Sequence, residues 1–294
     1  EQSRIFSLIS QLEELAVVRL DPLILQQQQQ QGQHPLQSSS QQTSLRSSST
    51  STGSPATTHR DHSPDDNEDF QAYKSALEGL QFDEMNMEES STTSSSSTSL
   101  SVSPALFKHH YKDKILADSQ SSPPKMTRLV HEIASLSTGL PLHWSSSVFL
   151  RTSDSRIDVL RAVISGPQGT PYEDGLFVFD VYCPAEYPKV PPLVNLQTTG
   201  HGTVGFNPNL YVCGKVCLSL LGTWRGGPNE MWQENESTLL QVFVSIQSLI
   251  LVEQPYFNEP GYETTMGTET GKYMSAQYNE TIRLGTLKWA ILDQ

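Results

Sequence analysis

Hydrophobic residues recur at steps of three and four along three stretches of the chain, and each stretch predicts a helix. The first begins at Met126 and ends at the stop signal of Gly139 and Pro141. The second must end before Pro255, because proline cannot continue a helix. The third runs over about residues 272–292. Their apolar faces are, in chain order, Met126, Leu129, Val130, Ile133 and Leu136; Leu239, Val242, Phe243, Ile246, Leu249 and Ile250; and Met274, Tyr278, Ile282 and Trp289.

Between the first and second helices, the pattern changes to short runs rich in β-branched and aromatic residues, which predict strands. The runs cover residues 148–150, 157–164, 176–182 and 193–196. Turn signals such as Gly166-Pro167 and Asp174-Gly175 separate them. We therefore predict an α+β domain in which a four-stranded antiparallel meander carries an N-terminal helix, a central helix and C-terminal helices on one face.

The N-terminal part of the chain has a different composition. Residues 4–25 carry apolar side chains at helical spacing and predict a short amphipathic helix. Residues 26–125 are dominated by Gln, Ser and Thr and are expected to be mostly disordered, apart from short docking segments at 70–82 and 105–116. Residues 126–294 contain all four Trp and all three Cys, so the folded core is expected there.

Charge and cysteine content narrow the class of protein. The net charge is −13, and both halves of the chain are acidic, which argues against a nucleic-acid partner. No run of 18 apolar residues is present, so no membrane span is expected. Three cysteines without a disulfide-like spacing favour a reducing, cytoplasmic location and a free thiol.

Several motifs occur in a fixed order between Met126 and Gln294. The stretch GPQGTPYEDG at 166–175 is followed by Tyr187-Pro188, by Pro191-Pro192 and by Asn207-Pro208-Asn209, and Cys217 lies eight residues beyond Asn209. This series resembles the ubiquitin-conjugating (E2) enzyme family. The resemblance implies the UBC fold over residues 126–294.

The resemblance also implies roles for four residues. Cys217 would accept ubiquitin from an E1 enzyme as a thioester, which requires a sulfur that is both nucleophile and leaving group. The Asn209 amide would stabilise the oxyanion or hold the active-site loop. Asn258 and Glu259 would orient the incoming lysine. We expect the Cys217 sulfur to be exposed and unpaired, and close to the Asn209 carboxamide.

Three features depart from the common E2 pattern. Asn207 replaces the usual histidine, and Lys189-Val190 replaces an aromatic residue that anchors separate E3 ligases. The segment from Leu221 to Trp232 is longer than in small E2 enzymes. These features resemble the large hybrid E2/E3 enzymes of the BRUCE/Apollon type, which implies built-in E3 character. The implied partners are ubiquitin, E1 and substrate proteins, with a separate E3 ligase optional. No cofactor is expected, because the E1 uses the ATP.

Other interpretations of the same residues stay open. A cysteine in an apolar run is commonly a buried small hydrophobe. Cys213, Cys217 and His201 provide too few ligands for a structural zinc site. A non-catalytic E2-like ubiquitin-binding module is a further alternative. A thiol hydrolase would need a positioned histidine base.

Overall fold

The structure, a computed structural model, describes residues 68–89, 106–118 and 122–293. The helix predicted over residues 4–25 lies outside this range. The helices are α1 (Glu68–Leu77), α2 (Lys112–Ala117), α3 (Pro123–Gly139), α4 (Leu239–Ser245) and α5 (Glu269–Gly285). The strands are β1 (Phe82–Met85), β2 (Glu88–Glu89), β3 (Leu106–Phe107), β4 (Leu142–His143), β5 (Ser146–Ser153), β6 (Val159–Ser165), β7 (Leu176–Tyr182) and β8 (Leu193–Leu196).

In the described part of the chain, two π-helical turns continue helices α4 and α5, and four 3-10 turns lie between the longer elements. The π turns are Ile246–Ile250 after α4 and Thr286–Leu292 after α5. The 3-10 turns are Glu78–Leu80, Ser219–Leu221, Pro255–Asn258 and Tyr262–Thr265.

Strands β5 to β8 form an antiparallel meander, which confirms the predicted α+β fold. Each of the four predicted strands is present, and β7 and β8 have the predicted bounds. The sheet is wider than predicted, because β1 pairs in parallel with β5 and β4 forms a hairpin with it. The sequence of β1, Phe-Asp-Glu-Met, has no apolar run to reveal it as a strand.

Helix α3 begins at Pro123, three residues before the predicted start at Met126. The Ser122 side chain caps it by accepting a hydrogen bond from the Lys125 amide, and prolines occupy its first turn. Leu129 and Leu136 are buried as predicted. Val130 is 56% exposed, so its assignment to the buried face was wrong. It lies one residue beyond Leu129, about 100° around the helix.

The second predicted helix is present as α4 and its π turn, and both end before Pro255. A capping box between Thr238 and Gln241 fixes its start. Leu249 is 58% exposed, which corrects the prediction that it faces the core. The π turn explains the difference, because a wider turn rotates the residues that follow away from the 3.6-residue pattern.

The third predicted helix begins at Glu269, where Thr268 caps its first turn. Ile282 is buried, and Tyr278 and Trp289 pack against the core as the pattern predicts. Met274 is exposed, so its place on the buried side was wrong. The main core lies between one face of the sheet and helices α3, α4 and α5.

The opposite face of the sheet is covered by the segment that follows β1, up to residue 118, as far as the structure describes it. Met87 and Ile115 pack there against Val159 and Tyr182. Polar groups fix the same segment, since Arg156 donates hydrogen bonds to the carbonyls of Ile115 and Asp118. The domain boundary predicted at residue 126 stays a prediction, and residues before it contact the sheet.

Candidate active site

A tight hairpin carries Cys217 beside the end of β8. Leu210 and Val216 form an antiparallel bridge, and Tyr211 N donates to Lys215 O over 3.0 Å. Leu196 N donates to Gly214 O over 2.7 Å, which attaches the hairpin to β8. Gly214 has φ +79°, and a Cβ atom there would lie 2.2 Å from Leu196 O. Only glycine fits this close approach.

Asn209 and Cys217 are joined by a reciprocal pair of hydrogen bonds. The Asn209 Nδ2 atom donates to the Cys217 carbonyl oxygen over 2.8 Å. The Cys217 amide donates to the Asn209 carbonyl oxygen, also over 2.8 Å. The structure therefore places the carboxamide next to the cysteine, as expected, with its amide group directed at the backbone of that residue.

The expectation that Cys217 is exposed was wrong, whereas its thiol is free of any disulfide, as expected. The residue is 1% exposed, and the Tyr211 side chain lies close enough to the thiol to influence its pKa. Cys217 does not belong to the main hydrophobic cluster, although its neighbours Val216 and Leu218 do. Tyr211 is itself only half-buried on the hairpin, and the exposed Lys215 Nζ lies 5.3 Å from the centre of its ring. Cys217 is thus buried at the border of the main core, with the half-buried Tyr211 beside its thiol.

Burial raises the pKa of the Cys217 thiol above its usual value. The positive charge of Lys215 and the hydrogen bond from Tyr211 act in the opposite direction, because both favour the thiolate. The negative charge of a Cys213 thiolate would raise the pKa. Since burial is the largest of these effects, the thiol form predominates at neutral pH in this conformation.

A second loop brings Asn258 and Glu259 to the same region. Asn258, at the end of the 3-10 turn Pro255–Asn258, donates from Nδ2 to Asn207 Oδ1 over 3.3 Å and to Leu249 O over 3.1 Å. The charge of Glu259 contributes to raising the pKa of Tyr211 to about 12, although burial is the main cause. The four residues singled out from the sequence therefore lie around one hairpin and the loop next to it.

Tyr211 and Lys215 were not singled out from the sequence. On an extended hairpin, residues two apart point to the same side, so positions 211, 215 and 217 are expected to share a face. This alternation, applied to the residues before Cys217, was the signal in the sequence that could have identified Tyr211 and Lys215. The length of the hairpin turn, which brings Tyr211 back to Cys217, is visible only in the structure.

The long segment after the hairpin is attached to the loop that follows β7. The Trp232 indole N–H donates to Pro188 O over 2.6 Å, and its ring lies 5.6 Å from that of Tyr187. Residues 222–231 extend between the Cys217 hairpin and this contact, and Trp224 among them is half-buried. The insertion therefore joins the Cys217 hairpin to the loop after β7, with Thr223 Oγ1 donating to the Val216 carbonyl at its start.

Two alternatives for this region can be compared with the geometry. Among the described residues, no group of three or more His, Cys, Asp or Glu side chains is placed to hold a metal ion. The charged and polar groups that influence the Cys217 pKa are Lys215, Tyr211 and Cys213. None of them is a histidine, so the described residues lack the positioned base of a thiol hydrolase. In the same part of the chain, no helix is long and apolar enough to cross a membrane.

The antiparallel meander, the helices on one of its faces and the cysteine hairpin at its edge together define a UBC-type domain. The chain belongs to the ubiquitin-conjugating enzyme family, because a profile of that family matches residues 128–285, more than half of the sequence. This confirms the resemblance that the ordered motifs indicate.

Individual relatives agree with the family. The chain is 53% identical over 187 residues to the human dual E2 ubiquitin-conjugating enzyme/E3 ubiquitin-protein ligase BIRC6, which covers 63% of this chain and 4% of that protein. It is 50% identical over 180 residues to the putative ubiquitin-conjugating enzyme E2 38 of Arabidopsis thaliana, which covers 61% of this chain and 53% of that protein. The solved E2 domain of a Toxoplasma gondii ubiquitin conjugating enzyme is 27% identical, with a TM-score of 0.40, and the match covers 56% of this chain and 99% of that one. The chain thus spans a small part of the human relative and about half of the plant relative.

Proposed function

We propose that the chain accepts ubiquitin from an E1 enzyme as a thioester on Cys217 and transfers it to lysines of substrate proteins. The observation that carries the proposal is the reciprocal hydrogen bonding of Asn209 and Cys217, with 2.8 Å between Asn209 Nδ2 and the Cys217 carbonyl oxygen. This pair of bonds holds the Asn209 carboxamide beside the buried cysteine of the hairpin.

In the charging step, the Cys217 sulfur attacks the carbonyl carbon of the E1 thioester. The new bond joins that carbon to Cys217, the bond to the E1 sulfur breaks, and the proton leaves with the E1 thiol. In discharge, a lysine amine attacks the same carbon, the bond to Cys217 breaks, and the amine loses its proton to solvent. Both steps pass through an oxyanion, which the Asn209 amide is close enough to stabilise after a small side-chain rotation.

We infer that the Tyr211 ring shields the buried Cys217 thiol and must move before either step. Tyr211 lies on a surface hairpin and not within the main core, so displacement of its ring exposes the sulfur without unpacking the sheet. Its hydrogen bond to the sulfur is lost on displacement, and the larger effect of burial is lost with it. The pKa of Cys217 therefore falls when the site opens, which favours the reactive thiolate.

We further propose intrinsic E3 character, in which the chain or the protein that contains it selects substrates without a separate ligase. The support is the identity with a relative named as a dual E2/E3 enzyme. The insertion between Leu221 and Trp232 also follows the Cys217 hairpin directly in the chain, and its Trp232 is attached to Pro188 in the loop after β7. Substrate lysines modified by the charged chain alone, without an added ligase, are the expected result.

The experiment that tests the proposal is incubation with E1, ATP and ubiquitin, followed by electrophoresis with and without reductant. A reductant-sensitive adduct is expected, and Cys217→Ala should lack it. The matched control is Cys213→Ala, which removes the exposed cysteine four residues away and should retain the adduct.

One observation favours a second candidate, a non-catalytic ubiquitin-binding module. The Cys217 residue is 1% exposed, as in a protein that does not use this cysteine. Such a module would bind ubiquitin and form no adduct at any E1 concentration, with Cys217→Ala binding as tightly as the unmodified chain.

A further inference from the structure

A single buried carboxamide connects the Cys217 hairpin to the loop that carries Asn258 and Glu259. Asn207 is 3% exposed. Its Oδ1 atom accepts hydrogen bonds from the backbone N–H of Asn209 over 2.8 Å and from Asn258 Nδ2 over 3.3 Å. Its Nδ2 atom donates to Ile250 O over 2.8 Å and to the Tyr172 hydroxyl over 3.2 Å. Both donors and both lone pairs of the carboxamide are therefore used.

The partners of Asn207 belong to separate parts of the fold. Asn209 holds the Cys217 backbone, Ile250 ends the π turn after α4, and Asn258 precedes Glu259. Tyr172 is fully buried, and its hydroxyl donates a hydrogen bond to the Phe206 carbonyl oxygen. The oxygen side of Asn207 thus joins the two loops of the candidate active site, whereas its nitrogen side fixes them to the core.

We propose that Asn207 is a positioning residue whose Oδ1 atom holds Asn258 in register with the Cys217 hairpin for lysine discharge. The proposal rests on the proposed function, because it concerns the discharge step of that reaction. A carboxamide does not titrate, so the connection between the loops persists across the whole neutral and mildly acidic range.

Among the residues that the structure describes, no charged side chain donates to or accepts from Asn207. The titratable groups around it are Tyr172 on its nitrogen side, with Tyr278 behind Tyr172, and Glu259 next to Asn258. Burial holds the pKa of Tyr172 well above its usual value, so this phenol stays neutral. Cys217 and Tyr211 lie on the far side of Asn209.

The informative change is Asn207→His. A neutral imidazole offers one donor and one acceptor and makes at most two of the four hydrogen bonds, and a protonated one offers no acceptor. Protonation, with a midpoint at or below about pH 6.5, should therefore leave both Asn209 N and Asn258 Nδ2 without an acceptor at position 207. The matched control is Asn279→His, because Asn279 is also buried but bonds to Glu253 O and to none of these groups.

The measurement is the rate of discharge of the preformed ubiquitin thioester to free lysine and to free cysteine, from pH 8 to pH 5.5. For each acceptor, the rate of the variant is divided by the rate of the unmodified chain, which gives a lysine ratio and a cysteine ratio. For Asn207→His, the lysine ratio is expected to fall about 10-fold further than the cysteine ratio below the midpoint, since cysteine discharge does not need the Asn258 loop. Asn279→His should show no such divergence. Equal loss toward both acceptors, or no loss toward either, overturns the proposal.

Two further variants keep the test decisive. Asn207→Asp retains the acceptor oxygen, so its lysine ratio should follow its cysteine ratio even if Asn207→His does not fold; a selective loss of lysine discharge overturns the proposal. In an Asn258→Ala background, the additional loss caused by Asn207→His should disappear, because the partner is absent. Failure of the proposed function is seen separately, as absence of the thioester on the unmodified chain.

Discussion

The side-chain nitrogen Nδ2 of Asn209 lies 2.8 Å from the carbonyl oxygen of Cys217 and donates a hydrogen bond to it. The backbone N–H of Cys217 donates in return to the carbonyl oxygen of Asn209. The carboxamide therefore has a structural task before any substrate arrives. During transfer, the same group is available to an oxyanion only if it exchanges its carbonyl partner for the substrate oxygen. The two roles implied by the family resemblance are compatible because they occur at different stages.

Asn209→Ala is expected to slow discharge to lysine by about 100- to 1000-fold, the usual cost of one oxyanion donor. The measurement is a single-turnover chase of the preformed thioester with free lysine. Charging by E1 should fall as well if the bond to the Cys217 carbonyl holds the hairpin in shape. Asn235→Ala, at an exposed position just beyond the insertion, is the control. Near-normal lysine discharge would remove Asn209 from the site.

Changes at Tyr211 are expected to act in opposite directions on the Cys217 thiol. Tyr211→Ala removes the cover, and because burial is the main reason for the raised pKa, the pKa should fall. Tyr211→Phe keeps the ring and loses the hydrogen bond, so the pKa should rise further. A pKa change of about one unit alters the thiolate fraction at neutral pH about 10-fold.

The test is the rate of iodoacetamide alkylation of Cys217 as a function of pH. It is measured in a Cys213→Ala background, because the exposed Cys213 would react with the reagent as well. Tyr211→Ala should react faster than the unmodified protein and Tyr211→Phe more slowly, and Lys215→Ala should resemble Tyr211→Phe. Tyr273→Ala, at an exposed position on α5, is the control. Equal rates for all variants would mean that Tyr211 does not cover the sulfur in solution.

Glu259→Ala is expected to slow lysine discharge about 10-fold while charging stays normal. A loss of this size corresponds to about 1.4 kcal/mol of transition-state stabilisation, consistent with a carboxylate that orients an amine at a partly exposed site. The control is Glu253→Ala, an exposed carboxylate near the start of the same loop. Unchanged discharge rates for Glu259→Ala would exclude it from the site.

The buried ammonium of Lys125 is expected to stabilise the contact between residues 106–118 and the sheet. Its Nζ atom lies 2.7 Å from Asp158 and 3.6 Å from Asp118. Lys125→Met should lower the free energy of unfolding toward the lower end of ~3–5 kcal/mol, because Arg156 remains bonded to Asp158. Urea unfolding followed by tryptophan fluorescence measures this. Lys272→Met, which breaks an exposed pair, should change it by less than about 1 kcal/mol.

The same cluster predicts a pH dependence of stability. Burial alone would raise the pKa of Asp158, but hydrogen bonds from Arg156 and Lys125 outweigh it, and the pKa is lowered. A carboxyl with a lowered folded-state pKa contributes stability above its unfolded pKa of about 3.9. That contribution is lost as the pH falls through the folded value. Lys125→Met should move the loss of stability to higher pH, and an unchanged acid transition would contradict this.

Much of the fold was predictable from the sequence. Strands β7 and β8 were placed residue for residue, because buried runs between Gly and Pro turns leave little choice. Val130, Leu249 and Met274 were assigned to the wrong faces. Periodicity marks an amphipathic segment but does not show how wide its buried stripe is or where a π turn interrupts it.

The sequence predicted four residues of the candidate site, but it did not predict that Cys217 is buried. Cys217 and Asn209 follow from motif spacing, and the structure brings them together. Tyr211 covers Cys217 through the geometry of a turn, which residue types alone do not specify. The contact between Asn207 and Asn258 joins positions 51 residues apart, and no local pattern reports a contact of that range.

Gly214 limits how this site can vary. Any larger residue at that position would meet the Leu196 carbonyl and the Asn195 side chain, and would lift the hairpin away from β8. Neighbouring Cys213 and Lys215 have no such restriction, because their side chains are exposed. Directed evolution of the reactivity of this cysteine should therefore find its useful substitutions at the two flanking positions, with the glycine between them left invariant.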